Sequence, residues 1–421
     1  MDHNSPVQRI QTLVMETMLN SMDQRERRIL YSVSYGHFLS HFNMLAFPAV
    51  VLPLTETLSL DLSGVLGLSF FMYFLFGVTA LPWGLLADRV SPGKLFLCFY
   101  IGAGLCGLAA ALTMDSPLML TVSLAGIGLF SGIYHPLGLG IISKEIKKVS
   151  LGMGFNGMFG NLGLAAAPFV MGLFTWIWGP AVAYGVLGGM NLLGAAFFIV
   201  RPLEVSIKDH RSSGSVESTG ALKPFLVLLV AMMLGGVVYR GATVLLPAYL
   251  ELKSGSLHQW VTSLAGAGLT PNLLATTAAS TVFIVGMAGQ YAGGHLAQRF
   301  RPKYAYLGFH GLTVPLAFLA AMVSDLALLG VIMAYFFFLL GMQPAENTLV
   351  ARLSPARLRH SAFGFKFILT FGVGALAVSL VGLIQESFSL EAVYPSLGLI
   401  SILLVGSILV LIRVLAGKKG E

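Results

Sequence analysis

The chain has 421 residues, 56% apolar and 10% charged, against roughly 25% charged in ordinary soluble domains. A bilayer-spanning helix needs about 20 mostly apolar residues, so this length has room for about twelve. Those figures exclude a soluble globular protein and a disordered chain, the net charge of +7 notwithstanding, and the long unbroken apolar runs are unlike the alternating strands of an outer-membrane barrel.

Residues 1–30 form a polar arm ending in Arg25, Arg27 and Arg28. It lacks the apolar core and cleavage site of a removable signal peptide. Ile10, Leu13, Val14, Met18 and Met22 recur at helical spacing, which fits either an interfacial amphipathic helix or a plain tail. Six apolar segments follow at 31–54, 64–87, 95–113, 118–143, 152–174 and 176–200. The polar stretch 201–222 contains SSGSVESTG and reads as a linker. Six further segments lie at 223–250, 275–297, 304–323, 327–350, 361–385 and 393–415, before a short tail, 416–421. The expected fold is an all-α membrane protein with two six-helix bundles, 31–200 and 223–415. Cys98 and Cys106 share one apolar segment and read as packing residues.

Placing the N-terminus in the cytoplasm puts 22 of the 25 Lys and Arg on the cytoplasmic side. Lys253 alone falls outside, and Arg240 and Lys366 fall inside helices. Positive charge concentrates on the cytoplasmic side of membrane proteins, so both termini are expected there. The absence of Asn-x-Ser/Thr sites fits a bacterial inner membrane.

The two halves repeat. Gly84-Leu-Leu-Ala-Asp88-Arg89 aligns with Gly294-His-Leu-Ala-Gln298-Arg299, Gly154-Phe155 with Gly364-Phe365, His135-Pro136 with Gln343-Pro344, and Leu52-Pro53 with Leu246-Pro247. The smaller offset of the last pair implies a longer loop after the seventh segment, at about 251–274. Parallel repeats joined by a linker are a transporter architecture, with the substrate site near the midplane between them.

The loop Gly84-Leu-Leu-Ala-Asp88-Arg89-Val-Ser-Pro-Gly-Lys94 resembles the signature between helices 2 and 3 of the major facilitator superfamily. That resemblance implies that Asp88 and Arg89, with Gly84 and Lys94, latch the cytoplasmic side during alternating access. Three further stretches resemble the fosmidomycin-resistance branch, whose members are drug effluxers. They are Ser40-His41-Phe42-Asn43, Tyr134-His135-Pro136, and Gly160-Asn161-Leu-Gly163 with Pro168. Met44 and Leu137 stand where that branch carries acids.

Ionisable groups in hydrocarbon are costly and usually face a cavity or a partner. In the first half the candidates are His37, His41, Asn43, Tyr134, His135, Asn156 and Asn161. His37 and His41 share a helix face. The three histidines fit proton carriers, hydrogen-bonded packing, or a metal set. No Cys or carboxylate lies at their depth, so no metal is expected. In the second half the candidates are Tyr239, Arg240, Gln290, Gln343, Glu346, Asn347 and Lys366. Gln343, Glu346 and Asn347 form one polar helix face. Glu346 is the only carboxylate expected well inside a helix. It suits a proton-binding role, or else an ion pair with Arg240 or Lys366. Lys366 lies near a helix end, where it could snorkel, whereas deep Arg240 suits an anionic substrate. Pro48, Pro53, Pro136, Pro168, Pro247 and Pro344 are expected to bend helices.

No phosphate-binding loop, nucleophile–His–acid set or His-Glu-x-x-His motif occurs. An enzyme and an organic cofactor are therefore not expected. A proton gradient is the expected energy source, with a small molecule, protons and the bilayer as partners, no nucleic acid, and a monomer as the working unit. Proton-coupled export of a polar or amphipathic molecule leads. Import or facilitated passage of an organic anion is the alternative, and a non-transporting receptor or scaffold is the alternative from another class.

Overall fold

Backbone groups in hydrocarbon must be satisfied within their own segment, which forces helices on apolar runs of this length. The computed structural model describes residues 22–87, 89–202, 222–265, 268–354 and 364–417, with no strand among them. Among the described residues twelve helices are long and apolar enough to cross a membrane. They are α1 (Gln24–Leu58), α2 (Leu62–Ala87), α3 (Pro92–Leu112), α4 (Pro117–Glu145), α5 (Gly152–Trp178), α6 (Pro180–Val200), α7 (Leu222–Lys253), α8 (Pro271–Arg299), α9 (Pro302–Met322), α10 (Asp325–Leu353), α11 (Gly364–Ser387) and α12 (Val393–Ala416).

Each expected segment is found, and α1 starts earlier than hydropathy suggests. Its charged first turn is capped: Asp23 Oδ1 accepts from the Glu26 N–H at 2.8 Å, and Glu26 Oε2 accepts from the Asp23 N–H at 3.3 Å. This reciprocal cap satisfies two orphan donors, so the helix reaches back through Arg25, Arg27 and Arg28. Arg25 then pairs with Glu145 at the end of α4, at 2.7 Å. Ile10 to Met18, most of the linker (203–221), Asp88 and the last four residues lie outside the described residues. The longer loop after α7 contains a short helix, Gly255–Ala265, moored by the Leu257 N–H on Asp325 Oδ1 at 2.8 Å.

The repeat seen in sequence is a repeat in packing. In the first half α1 lies on α5, α2 on α4 and α3 on α6; in the second α7 lies on α11, α8 on α10 and α9 on α12. The halves meet through α2 with α11 and α5 with α8. One hydrophobic core, including Phe47, Tyr73, Leu246 and Tyr394, spans both halves toward the face distal to the termini. Toward the termini each half has its own core, around Leu30, Phe99 and Ile142 in one and around Leu228, Tyr306 and Leu349 in the other. The halves are thus joined on the distal side. There Asn272 Nδ2 donates to the Ala49 carbonyl at 3.1 Å, Trp176 Nε1 to the Gly268 carbonyl at 2.7 Å, and the Phe169 N–H to Ser280 Oγ at 2.9 Å.

Three of the prolines mark breaks. Pro48 sits in a 3₁₀ turn, Phe47–Val50. The α4 helix splits between Ser131 and Tyr134, and α10 between Gly341 and Gln343, next to the repeat-equivalent Pro136 and Pro344. Pro168 and Pro247 sit within uninterrupted helices. In α11 a π-helical turn, Ile368–Gly372, runs into a 3₁₀ turn, Val373–Ala375. Such turns gather at functional sites in helices. Gly77 of α2 lies against the backbone of Phe371 and Gly372, and Gly236 of α7 against that of Thr370. Any side chain at Gly77 would collide with α11 backbone. Gly77→Val is therefore expected to force the halves apart at this crossing and shift the protein away from the distally closed state. Thiol labelling of a cysteine placed at Ser63, which packs on Gly382, should rise over the same cysteine in an otherwise native background; unchanged labelling would count against the crossing as a pivot.

Candidate functional site

Two clusters of polar residues stand out in the membrane segments, one in each half. In the first, His37 and His41 stand one turn apart on α1, with Tyr134 and His135 on α4 and Asn156 on α5. The helices come close enough because α5 offers Gly160: a Cβ there would lie 2.5 Å from His37 Cε1. His37 Nδ1 is 2.7 Å from the Asn156 carbonyl. A carbonyl only accepts, so Nδ1 carries the proton and Nε2 presents a lone pair. His41 Nε2 lies 3.0 Å from that atom and must be the donor. Tyr134 stacks on His37 at 4.8 Å and donates its hydroxyl to Asn156 Oδ1 at 2.8 Å. His135 Nε2 is buried without a hydrogen-bond partner. The His135 ring lies against Phe76 of α2 and, across the halves, stacks on Phe367 of α11 at 5.0 Å.

In the second group Lys366 Nζ pairs with Glu346 Oε1 at 2.7 Å, both side chains being buried. Tyr306 of α9 donates to Glu346 Oε2 at 2.9 Å, and Lys366 also donates to Asn347 Oδ1. Lys366 therefore does not snorkel. A carboxylate within reach, in a medium where an unpaired ammonium is expensive, turns it inward. Asn347 is exposed while Glu346 is 2% exposed, so the pair sits just behind an accessible polar position.

Arg240 makes no pair with Glu346. It is 2% exposed, its guanidinium lies 3.7 Å over the Tyr73 ring of the first half, and Tyr239 flanks it at 5.9 Å. A desolvated cation–π contact is worth about 2 kcal/mol, enough to hold the group in place. Its Nε and Nη1 have no partner, and no carboxylate lies within ion-pair distance of it among the described residues.

A third set bridges the halves. Asn161 of α5 donates to Gln290 of α8 at 2.5 Å, and Gln290 donates to Gln343 of α10 at 2.7 Å. Asn43, by contrast, is a packing residue. It donates to Ser131 Oγ at 3.0 Å and exchanges hydrogen bonds with Asn191 at 3.1 and 2.9 Å, tying α1 to α4 and α6. Arg89 in the loop after α2 and Lys94 in the first turn of α3 are exposed, and a Cβ at Gly84 of α2 would lie 3.3 Å from Pro136; Asp88 lies outside the described residues.

Four residues of this constellation escape the sequence reading. Tyr73 looks like any core aromatic, and Asn191 like any helix-packing amide. Tyr306 and His310 carry the one available signal, a polar pair at i, i+4 mirroring His37 and His41. The His310 ring packs edge-on to Tyr306 at 4.8 Å with both nitrogens unpartnered.

Removing one member of a buried pair leaves an uncompensated charge and costs about 3–5 kcal/mol. Glu346→Gln should therefore lower the thermal unfolding midpoint in detergent. Adding Lys366→Met should restore part of the loss, and a double variant less stable than the single would contradict the pairing.

A family model described as Major Facilitator Superfamily matches residues 33–378. No curated protein sequence matches the chain. Among solved structures it is similar to a bacterial homolog of the human lysosomal transporter Spinster in an inward-facing, unoccupied conformation, at 14% identity and TM-score 0.72, covering 93% of this chain and 96% of that one. The peptide transporter POT in complex with sulfate matches at 16% identity and TM-score 0.71, over 92% and 94% of the two chains. A variant of the nucleoside transporter NupG matches at 13% identity and TM-score 0.73, over 91% and 99%. At such identities the likeness is one of fold. Family and fold together point to a transporter of small molecules rather than an enzyme.

Proposed function

The chain belongs to the Major Facilitator Superfamily, and on that premise we propose that it is a proton-coupled antiporter exporting a small polar or amphipathic molecule by alternating access. In this reading it acts as a monomer in a bacterial inner membrane with both termini cytoplasmic, and the distally joined state is its inward-facing one. The observation that carries the reading is the buried Glu346–Lys366 pair behind exposed Asn347.

A proton reaching Glu346 neutralises the carboxylate and releases the ammonium of Lys366. Lys366 sits on α11, whose next residue, Phe367, stacks on His135 of the opposite half and whose π-helical turn crosses Gly77. A change of charge at Glu346 thus bears on the contacts between halves. Coupling requires such a link between a protonation step and a two-state element. Arg240 would receive an anionic group of the substrate, and the Asn161–Gln290–Gln343 bridge would break and re-form as the halves rock.

The unpartnered nitrogens of Arg240 favour a second reading, import or facilitated passage of an organic anion. Flux direction under an imposed pH gradient separates the two. Expression in an efflux-deficient bacterium, challenged with a compound panel that includes fosmidomycin, should protect the cells, and Glu346→Gln should abolish protection at equal membrane expression. For an anionic substrate, Arg240→Gln should weaken apparent affinity tenfold or more, since charged hydrogen bonds are worth about 1.5–3 kcal/mol. Undiminished protection in Glu346→Gln would remove Glu346 from coupling.

A further inference from the structure

His37, His41 and His135 come from two helices yet bring three imidazoles to one point. Their ligand atoms all lie within 4.8 Å of one another, and the ring centroids are 4.8, 5.4 and 5.2 Å apart. We propose that these three histidines bind a late first-row divalent cation of the zinc type, with a fourth coordination position left to an anion or water.

Geometry, tautomer and composition agree. Zinc binds imidazole nitrogen at about 2.0–2.1 Å, which places tetrahedral ligand nitrogens about 3.3 Å apart. His37 Nε2 and His41 Nε2 are already 3.0 Å apart, and the third imidazole has to draw in from within 4.8 Å. A metal-bound histidine almost always donates its other N–H to a carbonyl or carboxylate, which fixes the ring and its tautomer. His37 makes that bond with the Asn156 carbonyl at 2.7 Å. His135 Nε2 is buried and unpartnered, so a cation would satisfy an atom that otherwise has no bond. His41 must shift its proton from Nε2 to Nδ1, or bind through Nδ1; either keeps it neutral, and no net proton is lost.

Charge selects the fourth ligand. Three neutral imidazoles leave a dication with its full charge. The charged groups that bear on the cluster are Arg240, acting on His41, and Lys366, acting on His135. Glu346 neutralises Lys366, but Arg240 has no carboxylate partner among the described residues. A bare dication beside Arg240 is disfavoured, and one that arrives with an anion is not. The absence of Cys and carboxylate ligands, which argued against a metal in the sequence, leaves an all-imidazole set suited to zinc, copper or nickel rather than calcium or magnesium.

The test is metal binding by the purified full chain, which is read independently of transport. Titration of the metal-stripped protein with Co²⁺ should give the intense visible absorption of a four-coordinate site, saturating at one ion per chain and bleached by Zn²⁺. His41→Ala and His135→Ala should each weaken binding by at least about tenfold, while His258→Ala, on the distal helix, should not. Should the variants fail to fold, X-ray absorption of the zinc-loaded native protein decides: two or three imidazole ligands support the site, and fewer overturn it. No saturable Co²⁺ binding by the native chain, or equal binding in the His41→Ala/His135→Ala double variant, would also overturn it. Absence of proton-coupled export by the native chain, with metal binding intact, would refute the antiporter reading and leave this one standing.

Discussion

A carboxylate and an ammonium, buried 2.7 Å apart between α10 and α11, set the terms for the rest of the molecule. Neither charge is tolerable alone in hydrocarbon. Together with the Tyr306 hydroxyl and Asn347 they are satisfied. Such a pair adds little net stability compared with apolar packing, because desolvation offsets most of the attraction. In the transport reading proposed above, its consequence is switchability, since one proton on Glu346 would turn a satisfied site into one with an unpaired cation.

Small residues set the helix crossings that connect this pair to the opposite half. Without a hydrophobic drive between membrane helices, association depends on close backbone approach. Gly77 lets α2 meet the π-helical turn of α11, and Gly160 lets α5 receive the His37 ring. The same α11 therefore bears the ammonium, stacks Phe367 on His135, and crosses the opposite half. The two polar groups, one in each half, are joined by this single helix and by the Asn161–Gln290–Gln343 bridge.

Much of this was legible in the sequence, for physical reasons. Segment length and hydropathy report the bilayer, so all twelve helices were foreseen, and an internal repeat reports a repeated packing scheme. The helical period placed Gln343, Glu346 and Asn347 on one face and His37 with His41. What periodicity cannot report is which faces meet. Nothing in the chain order says that Lys366 turns toward Glu346 rather than water, that Arg240 lies over Tyr73 instead of pairing with an acid, or that Asn43 spends its hydrogen bonds on Ser131 and Asn191. The early start of α1 was hidden because hydropathy discounts a charged turn, although Asp23 and Glu26 spell a capping box.

The arrangement also separates two jobs by charge. The three histidines of the first half have no acid beside them among the described residues, so their cluster carries no charge of its own while the imidazoles keep their lone pairs. Around the site the other half buries two cations, Arg240 and Lys366, and one acid, Glu346, among the described residues, leaving one net positive charge at Arg240. On the readings proposed above, a nitrogen-rich cluster beside an uncompensated guanidinium would be matched by a ligand that is coordinating at one end and anionic at the other. Neither half offers both ends of that match. In that reading the matching surface exists only while α2 and α5 lie against α11 and α8, and rocking the halves apart at those crossings would take it apart.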